Sequence, residues 1–266
     1  MTDPEGKDPA IDKQWLELPS GINGDRYIIN TMYSSGERNY THLYDKDTYL
    51  SLWTAYPLKS SHMGSLDRPS SWSYNPNIDS QYQADLRSKS YDTGDNGLSY
   101  SRGHMIPNAS RNGISEMQKQ TFHVTNSVPQ RQDKFNGTIW AKLETAVRAE
   151  ASSEEIYVVT GVAFRKKGGS ETIKYIKPQH DTKQCPVPNY FYKVVMKVKR
   201  SGGTITSAST VGFWFEHKKY SGSYADHTVS VDQIEQWTGM NFFVNLPDSV
   251  EASAETNANW SSFQSF

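Results

Sequence analysis

The sequence predicts an α+β domain built on a mainly antiparallel central sheet flanked by helices. Three observations predict it. Runs of β-branched and aromatic residues recur along the chain without the helix-after-every-strand rhythm of a parallel sheet. Helical patterns are few and fall in the middle and towards the end. A chain of 266 residues, 35% of them hydrophobic, can bury a sizeable core as one domain.

In chain order, Tyr27 to Tyr33 and Leu50 to Tyr56 are short strand candidates. Ser115 with Gln118 has the spacing of a capping box and predicts a helix start. Asn136 precedes "GTIWAKLETAVRAE", where Ile139, Leu143, Ala146 and Val147 share one face at helical spacing. Ile156 to Val162 reads as a buried strand. Tyr190 to Lys199 is the clearest strand: Tyr190, Tyr192, Val194, Met196 and Val198 alternate with Phe191, Lys193, Val195, Lys197 and Lys199, the pattern of a half-buried strand. Thr210 to Phe215 reads as another buried one, and Ser230 with Gln233 opens a helix that Gly239 closes. Residues 1–24 are expected to be a loose leader, 25–250 a single domain, and 251–266 a polar tail with Trp260 and two phenylalanines as anchors.

Charge is nearly balanced overall, with 28 Lys and Arg against 29 Asp and Glu, but it is unevenly distributed. From Arg102 to Arg148 seven bases, including Arg111 and Arg131, face only Glu116, Asp133 and Glu144. Such a segment offers an anion a place to sit, or simply a solvated face. Cys185 is the only cysteine, so no internal disulfide can form. The histidines lack the paired spacing of a zinc site. No apolar run reaches the roughly 20 residues of a membrane span. The polar start has no signal-like apolar core, which fits a secreted or periplasmic bacterial protein that has lost its signal segment, with a cytoplasmic protein as the alternative.

The stretch "SYSRGHMIPNASRNG" has almost nothing to bury, which argues against a strand or helix interior. Its Arg102 offers a planar fork of donors to phosphate oxygens, and His104 titrates near neutrality and can take a proton from water. Gly103 between them lets backbone approach a ligand. Asn136 offers a neutral carbonyl oxygen of the type Mg²⁺ accepts while keeping its waters, or serves as a helix N-cap. Glu144 lies eight residues on, about 12 Å along an α-helix, too far to share an inner coordination sphere with Asn136. Arg148, at i+4 from Glu144, shares its face and is placed for an ordinary ion pair or for a ligand.

"SRGHMIPNASR" followed by "TNSVPQRQDKFNGTIWAKLE" resembles the DNA/RNA non-specific endonucleases of the ββα-metal class, a family with secreted bacterial and mitochondrial members. Similarity runs in order from about Tyr27 to Pro247, through "LWTAYPL", "YVVTGVAF", "PNYFYKVVM", "VGFWFEH" and "SVDQIEQWTGMNFFVNLP". The resemblance implies a ββα-metal nuclease fold and hydrolysis of DNA and RNA phosphodiesters to 5′-phosphate ends. It implies His104 as general base, Asn136 as the single protein ligand of a hydrated Mg²⁺ (or Mn²⁺ or another divalent cation), and Glu144 as orienter of that water shell. Arg102 and Arg148 match arginines that support the phosphate, and Asn126 a supporting asparagine. Arg68, in "LDRPSSWSYNP", corresponds to a further phosphate-contacting arginine at altered spacing, and Arg111 and Arg131 are taken as substrate contacts. A homodimer is not readable from the sequence. Ser101 stands where the commonest family form has aspartate, which removes a carboxylate from beside His104.

Two rival classes follow from the same residues. One is a nucleic-acid-binding protein that kept the fold and lost the chemistry, supported by Ser101 alone. The other is a glycan-binding module using the abundant aromatics, although Trp53, Tyr157, Tyr192 and Phe213 sit in strand patterns and are expected in the core. A steep salt dependence of DNA binding separates either nuclease-fold reading from a glycan binder.

Overall fold

A computed structural model of the chain describes residues 15–94, 97–152 and 154–266. Seven strands form one antiparallel sheet in the order β1-β2-β3-β6-β9-β10-β11. They are β1 (Tyr27–Ser34), β2 (Glu37–Asp45), β3 (Leu50–Leu58), β6 (Ile156–Ala163), β9 (Tyr190–Ser201), β10 (Thr204–Glu216) and β11 (Thr228–Val229). Two ribbons stand apart from it, β4 (Tyr100–His104) with β5 (Ser127–Arg131), and β7 (Lys174–Ile176) with β8 (Cys185–Val187). The helices are α1 (Ser115–Gln120), α2 (Ala141–Glu150), α3 (Val231–Thr238), α4 (Asp248–Ala254) and α5 (Trp260–Gln264).

The expected half-buried strand is buried on both faces. In β9, Phe191 and Val195 join a core with Leu143 and Val147 of α2, whereas Tyr192, Val194 and Met196 join a second core with Ile234, Phe242 and Phe243. The period-two pattern is real, but both sides are covered. Lys193 and Lys197 therefore enter the interior with partners: Lys193 Nζ donates to Thr160 Oγ1, and Lys197 Nζ meets Glu150 Oε2 at 2.8 Å. Trp53, Tyr157, Tyr192 and Phe213 are core residues as expected.

Both chain ends are less loose than their polarity suggests. Residues 1–14 of the expected leader lie outside the described residues, but Leu16 and Leu18 are buried, Glu17 pairs with Arg38, and Ser20 bridges to Asn241. In the expected tail, Trp260 and Phe263 of α5 pack into the first core. A few large apolar side chains suffice to dock a polar segment, since each buries about 1.5–3 kcal/mol of transfer free energy. Ser230 caps α3, accepting from the Gln233 N–H at 3.1 Å, and Gly239 closes it at φ +75°. Ser115 does not cap α1. Its N-cap is Ile114, and the Gln118 amide reaches across to the Asp67 carbonyl at 3.1 Å.

Five histidines are buried or nearly so, and burial holds His42 and His104 down at about 3 and His62, His123 and His217 at about 4. Each returns to about 6.5 on unfolding. The unfolded chain then binds more protons between about pH 6.5 and pH 3–4, so stability falls as pH falls through that window. Glu255, pushed up to about 9 by burial, acts in the opposite sense, one carboxyl against five imidazoles. Denaturant midpoints are expected to drop steadily from about pH 7 to 5, with about four protons taken up on unfolding near pH 5. A midpoint flat over this range would contradict neutral burial of the histidines.

Candidate active site

The segment expected to be neither strand nor helix begins as a strand. Tyr100 to His104 pairs with Ser127 to Arg131, with Ser101 opposite Gln130 and His104 opposite Ser127. Pairing supplies the backbone partners that an unburied loop would take from water. Residues two apart on a strand share a face, so Arg102 and His104 both line the cleft while Gly103 faces away. A side chain at position 103 would start 2.4 Å from Gln130 Cβ. Gly103 thus permits the close approach of Gln130 to the strand rather than that of a ligand.

Two aromatic rings that sequence reasoning missed, Trp72 and Phe122, organise the charged face. The His104 ring lies 4.7 Å from Trp72 and 4.9 Å from Phe122. The Arg102 guanidinium stands over Trp72, and that of exposed Arg68 over Phe122, each at 4.9 Å. Arg102 is also tied by Nη1 to the Leu86 carbonyl at 2.7 Å. Ser73 holds the two rings together through backbone bonds to Phe122 and Val124. The only advance signal was the tryptophan in "LDRPSSWSYNP" beside Arg68. His104 is kept neutral first by burial and then by Arg68 and Arg102, and a neutral imidazole always carries one unprotonated nitrogen.

After β5 the chain turns through residues 132–140, a wide π-type run broken at Asp133 and Lys134. Lys134 adopts φ +53°, which costs a non-glycine residue about 1–2 kcal/mol, and its carbonyl accepts the Tyr220 N–H at 3.0 Å. The Ala141 N–H reaches back five residues to Asn136, after which α2 runs regularly. Asn136 is therefore not an N-cap. Its Nδ2 donates to Ser101 Oγ at 2.9 Å and to Gln132 Oε1 at 3.1 Å. Ser101 spends its own proton on the Gln130 carbonyl at 3.0 Å, so it can only accept from Asn136. That polarity fixes the amide: the nitrogen faces the ribbon, and Oδ1 has no hydrogen-bond partner among the described residues. Ser101 thus positions Asn136, not His104.

Arg68, Arg102, His104, Asn136, Glu144 and Arg148 line one cleft of about 610 Å³, together with Trp72 and Ser101. Among the described residues Glu144 is the single carboxylate in that lining, against three arginines. Burial raises its pKa, while buried Lys193 and then Arg148 pull it down. Arg148 forms no ion pair with Glu144 among the described residues; its Nη2 donates to Thr145 Oγ1 at 2.9 Å. The unpartnered Asn136 oxygen, with a carboxylate on the same wall, is a donor set that fits a hard divalent cation keeping most of its waters.

Three expected site residues lie elsewhere. Arg111 is fully buried and bonds Asn39 Oδ1 at 2.5 Å and the carbonyls of Asn39, Pro57 and Ser110 at 2.7–2.8 Å. It cannot reach a phosphate; the basic run counted its charge without its depth. Asn126 is also buried. Its Nδ2 donates to the Ile106 and Thr121 carbonyls and its Oδ1 accepts the Ile106 N–H, so it shapes the turn after His104. Arg131 stands off the cleft, turned to Asp133.

Residues 25–249 match the DNA/RNA non-specific endonuclease family. The chain is 28% identical to a protein named nuclease from Serratia marcescens over 252 residues, covering 93% of this chain and 86% of that one. It is 28% identical over 159 residues to the mitochondrial nuclease EXOG of Mus musculus, covering 58% of this chain and 42% of that protein. Among solved structures, EndoG in its complex with EndoGI superposes with a TM-score of 0.65 at 22% identity, over 85% of this chain and 91% of that one. That likeness supports the α+β fold. The relatives span bacteria and mitochondria, so they assign no compartment, and no helix of the described residues is long and apolar enough to cross a membrane.

Arg111→Ala should cost at least about 3 kcal/mol, because several buried acceptors lose their donor. Arg68→Ala should leave the melting temperature nearly unchanged and weaken retention on DNA. Thermal unfolding beside a DNA-retention assay checks both; loss of retention without loss of stability in Arg111→Ala would reinstate Arg111 as a substrate contact.

Proposed function

Because the chain belongs to the DNA/RNA non-specific endonuclease family, and so is a hydrolytic nuclease, we propose that it is an Mg²⁺-dependent endonuclease that cuts both DNA and RNA and leaves 5′-phosphate ends. One observation carries this reading: His104, Asn136, Glu144 and three arginines converge on a single cleft. Arginines aimed at phosphate oxygens recognise the backbone and not base edges, which supports indifference to sequence and sugar.

In this reading His104 takes a proton from the attacking water. The water oxygen bonds to phosphorus, the P–O3′ bond breaks, and the departing O3′ takes a proton from a second water in the cleft and leaves as a hydroxyl. Arg102, braced on Trp72 and the Leu86 carbonyl, and Arg68, braced on Phe122, hold the phosphate as negative charge grows on its oxygens. Asn136 Oδ1 would hold Mg²⁺, with Mn²⁺ as a substitute, and Glu144 would order its waters; when bound, the ion supplies electrophilic stabilisation of the phosphate and the leaving oxygen. Arg148 adds positive charge from α2.

His104→Ala is expected to lower cleavage of plasmid and RNA by about 10²–10⁴-fold with stability and DNA retention preserved. Cleavage at the parent rate would remove His104 from the mechanism. Since the base form of His104 is lost only as pH falls through about 3, the acid limb of kcat/KM should lie well below 6.5.

Ser101→Ala should release the Asn136 amide. The expected result is weaker Mn²⁺ binding by electron paramagnetic resonance and a higher half-saturating Mg²⁺, with the acid limb unmoved and partial rescue by Ser101→Thr. An altered acid limb with unaltered metal affinity would instead assign Ser101 to His104.

A further inference from the structure

Outside the cleft, α3 and the end of α4 bring three carboxylates together. Oxygens of Asp232, Glu235 and Glu255 all lie within 4.8 Å of one another. Asp232 and Glu235 stand three residues apart on α3 and share a face. Glu255 follows α4, and its carbonyl accepts the N–H groups of Val231 at 3.0 Å and Asp232 at 3.4 Å, which fastens this turn to the start of α3.

Glu255 is only 5% exposed, and its buried Oε1 has no hydrogen-bond partner. The charges that act on it are those of Glu235, Glu251 and Asp232, all carboxylates. Among the described residues no lysine or arginine forms an ion pair with Asp232, Glu235 or Glu255. A buried carboxylate normally has a cation or a set of donors. A divalent cation would neutralise two of these charges and give Oε1 a partner.

We propose that Asp232, Glu235 and Glu255 form a second cation site, separate from the catalytic cleft, that takes Ca²⁺ and clamps α3 to the end of α4. Ligand number favours calcium: Ca²⁺ accepts several carboxylates in one sphere, whereas Mg²⁺ keeps most of its waters and is usually held by one or two. Three carboxylates here each offer an oxygen within 4.8 Å of the others.

The test is calorimetric titration and thermal unfolding with CaCl₂, made in an Asn136→Ala background so that the cleft does not contribute. One binding event is expected, with a rise in Tm of roughly 5–10 °C once calcium reaches a hundredfold its Kd. Adding Glu255→Gln should abolish both, and so should Asp232→Asn, whose half-buried position keeps the test available should Glu255→Gln not fold. With the cleft intact, Glu255→Gln should cleave DNA in Mg²⁺ at the parent rate. No heat and no rise in Tm in the Asn136→Ala protein would overturn the proposal, as would a rise that survives both carboxamide substitutions.

Discussion

The hydrogen bond from Asn136 to Ser101 is the joint on which the site depends. It spans from the chain after β5 to β4, so it couples the strand bearing Arg102 and His104 to the helix bearing Glu144 and Arg148. In energy it is modest, about 0.5–1.5 kcal/mol net for such a bond. Its weight lies in direction. Because Ser101 donates to Gln130, the amide nitrogen of Asn136 must face the ribbon and its oxygen the cleft. An aspartate at 101 would be acceptor-only when ionised and could not donate to that carbonyl. Serine here is therefore compatible with a complete site, built with a different hydrogen-bond polarity.

The second constraint is electrostatic. Arg68 and Arg102 lower the proton affinity of His104 and repel each other, and they are held by Phe122, Trp72 and backbone carbonyls instead of by acids. In the proposed reading the substrate phosphate completes this array. Arg111 illustrates the opposite arrangement, fully buried with four of its five N–H donors used on buried acceptors.

Much of the secondary structure was legible in the residues. The strands at Tyr27, Leu50, Ile156, Tyr190 and Thr210, the capped start and glycine stop of α3, and the amphipathic face of α2 all follow from local periodicity and cap chemistry, and each formed. The failures share one cause. The strand at Tyr100 has no apolar alternation of its own and exists because β5 pairs with it. The half-buried reading of β9 failed because a second core covers its other face, where Leu16 and Leu18 also pack; Trp260 and Phe263 pack into the first core.

For the site, the sequence by itself determined the residue types and their spacing: an arginine and a histidine two apart, and an asparagine eight residues before a carboxylate. Those are local chemical facts carried by each side chain wherever it folds. Tertiary structure alone decided which charges face solvent and which lie buried, as Arg102 and Arg111 show, nine residues apart in the same basic run. It also decided that Trp72 and Phe122 meet around His104, that Ser101 serves Asn136, and that three carboxylates from two helical segments converge around Glu255. Depth and long-range neighbours are properties of packing. Burial, pKa and hydrogen-bond polarity depend on residues far apart in the chain, and no local pattern encodes them.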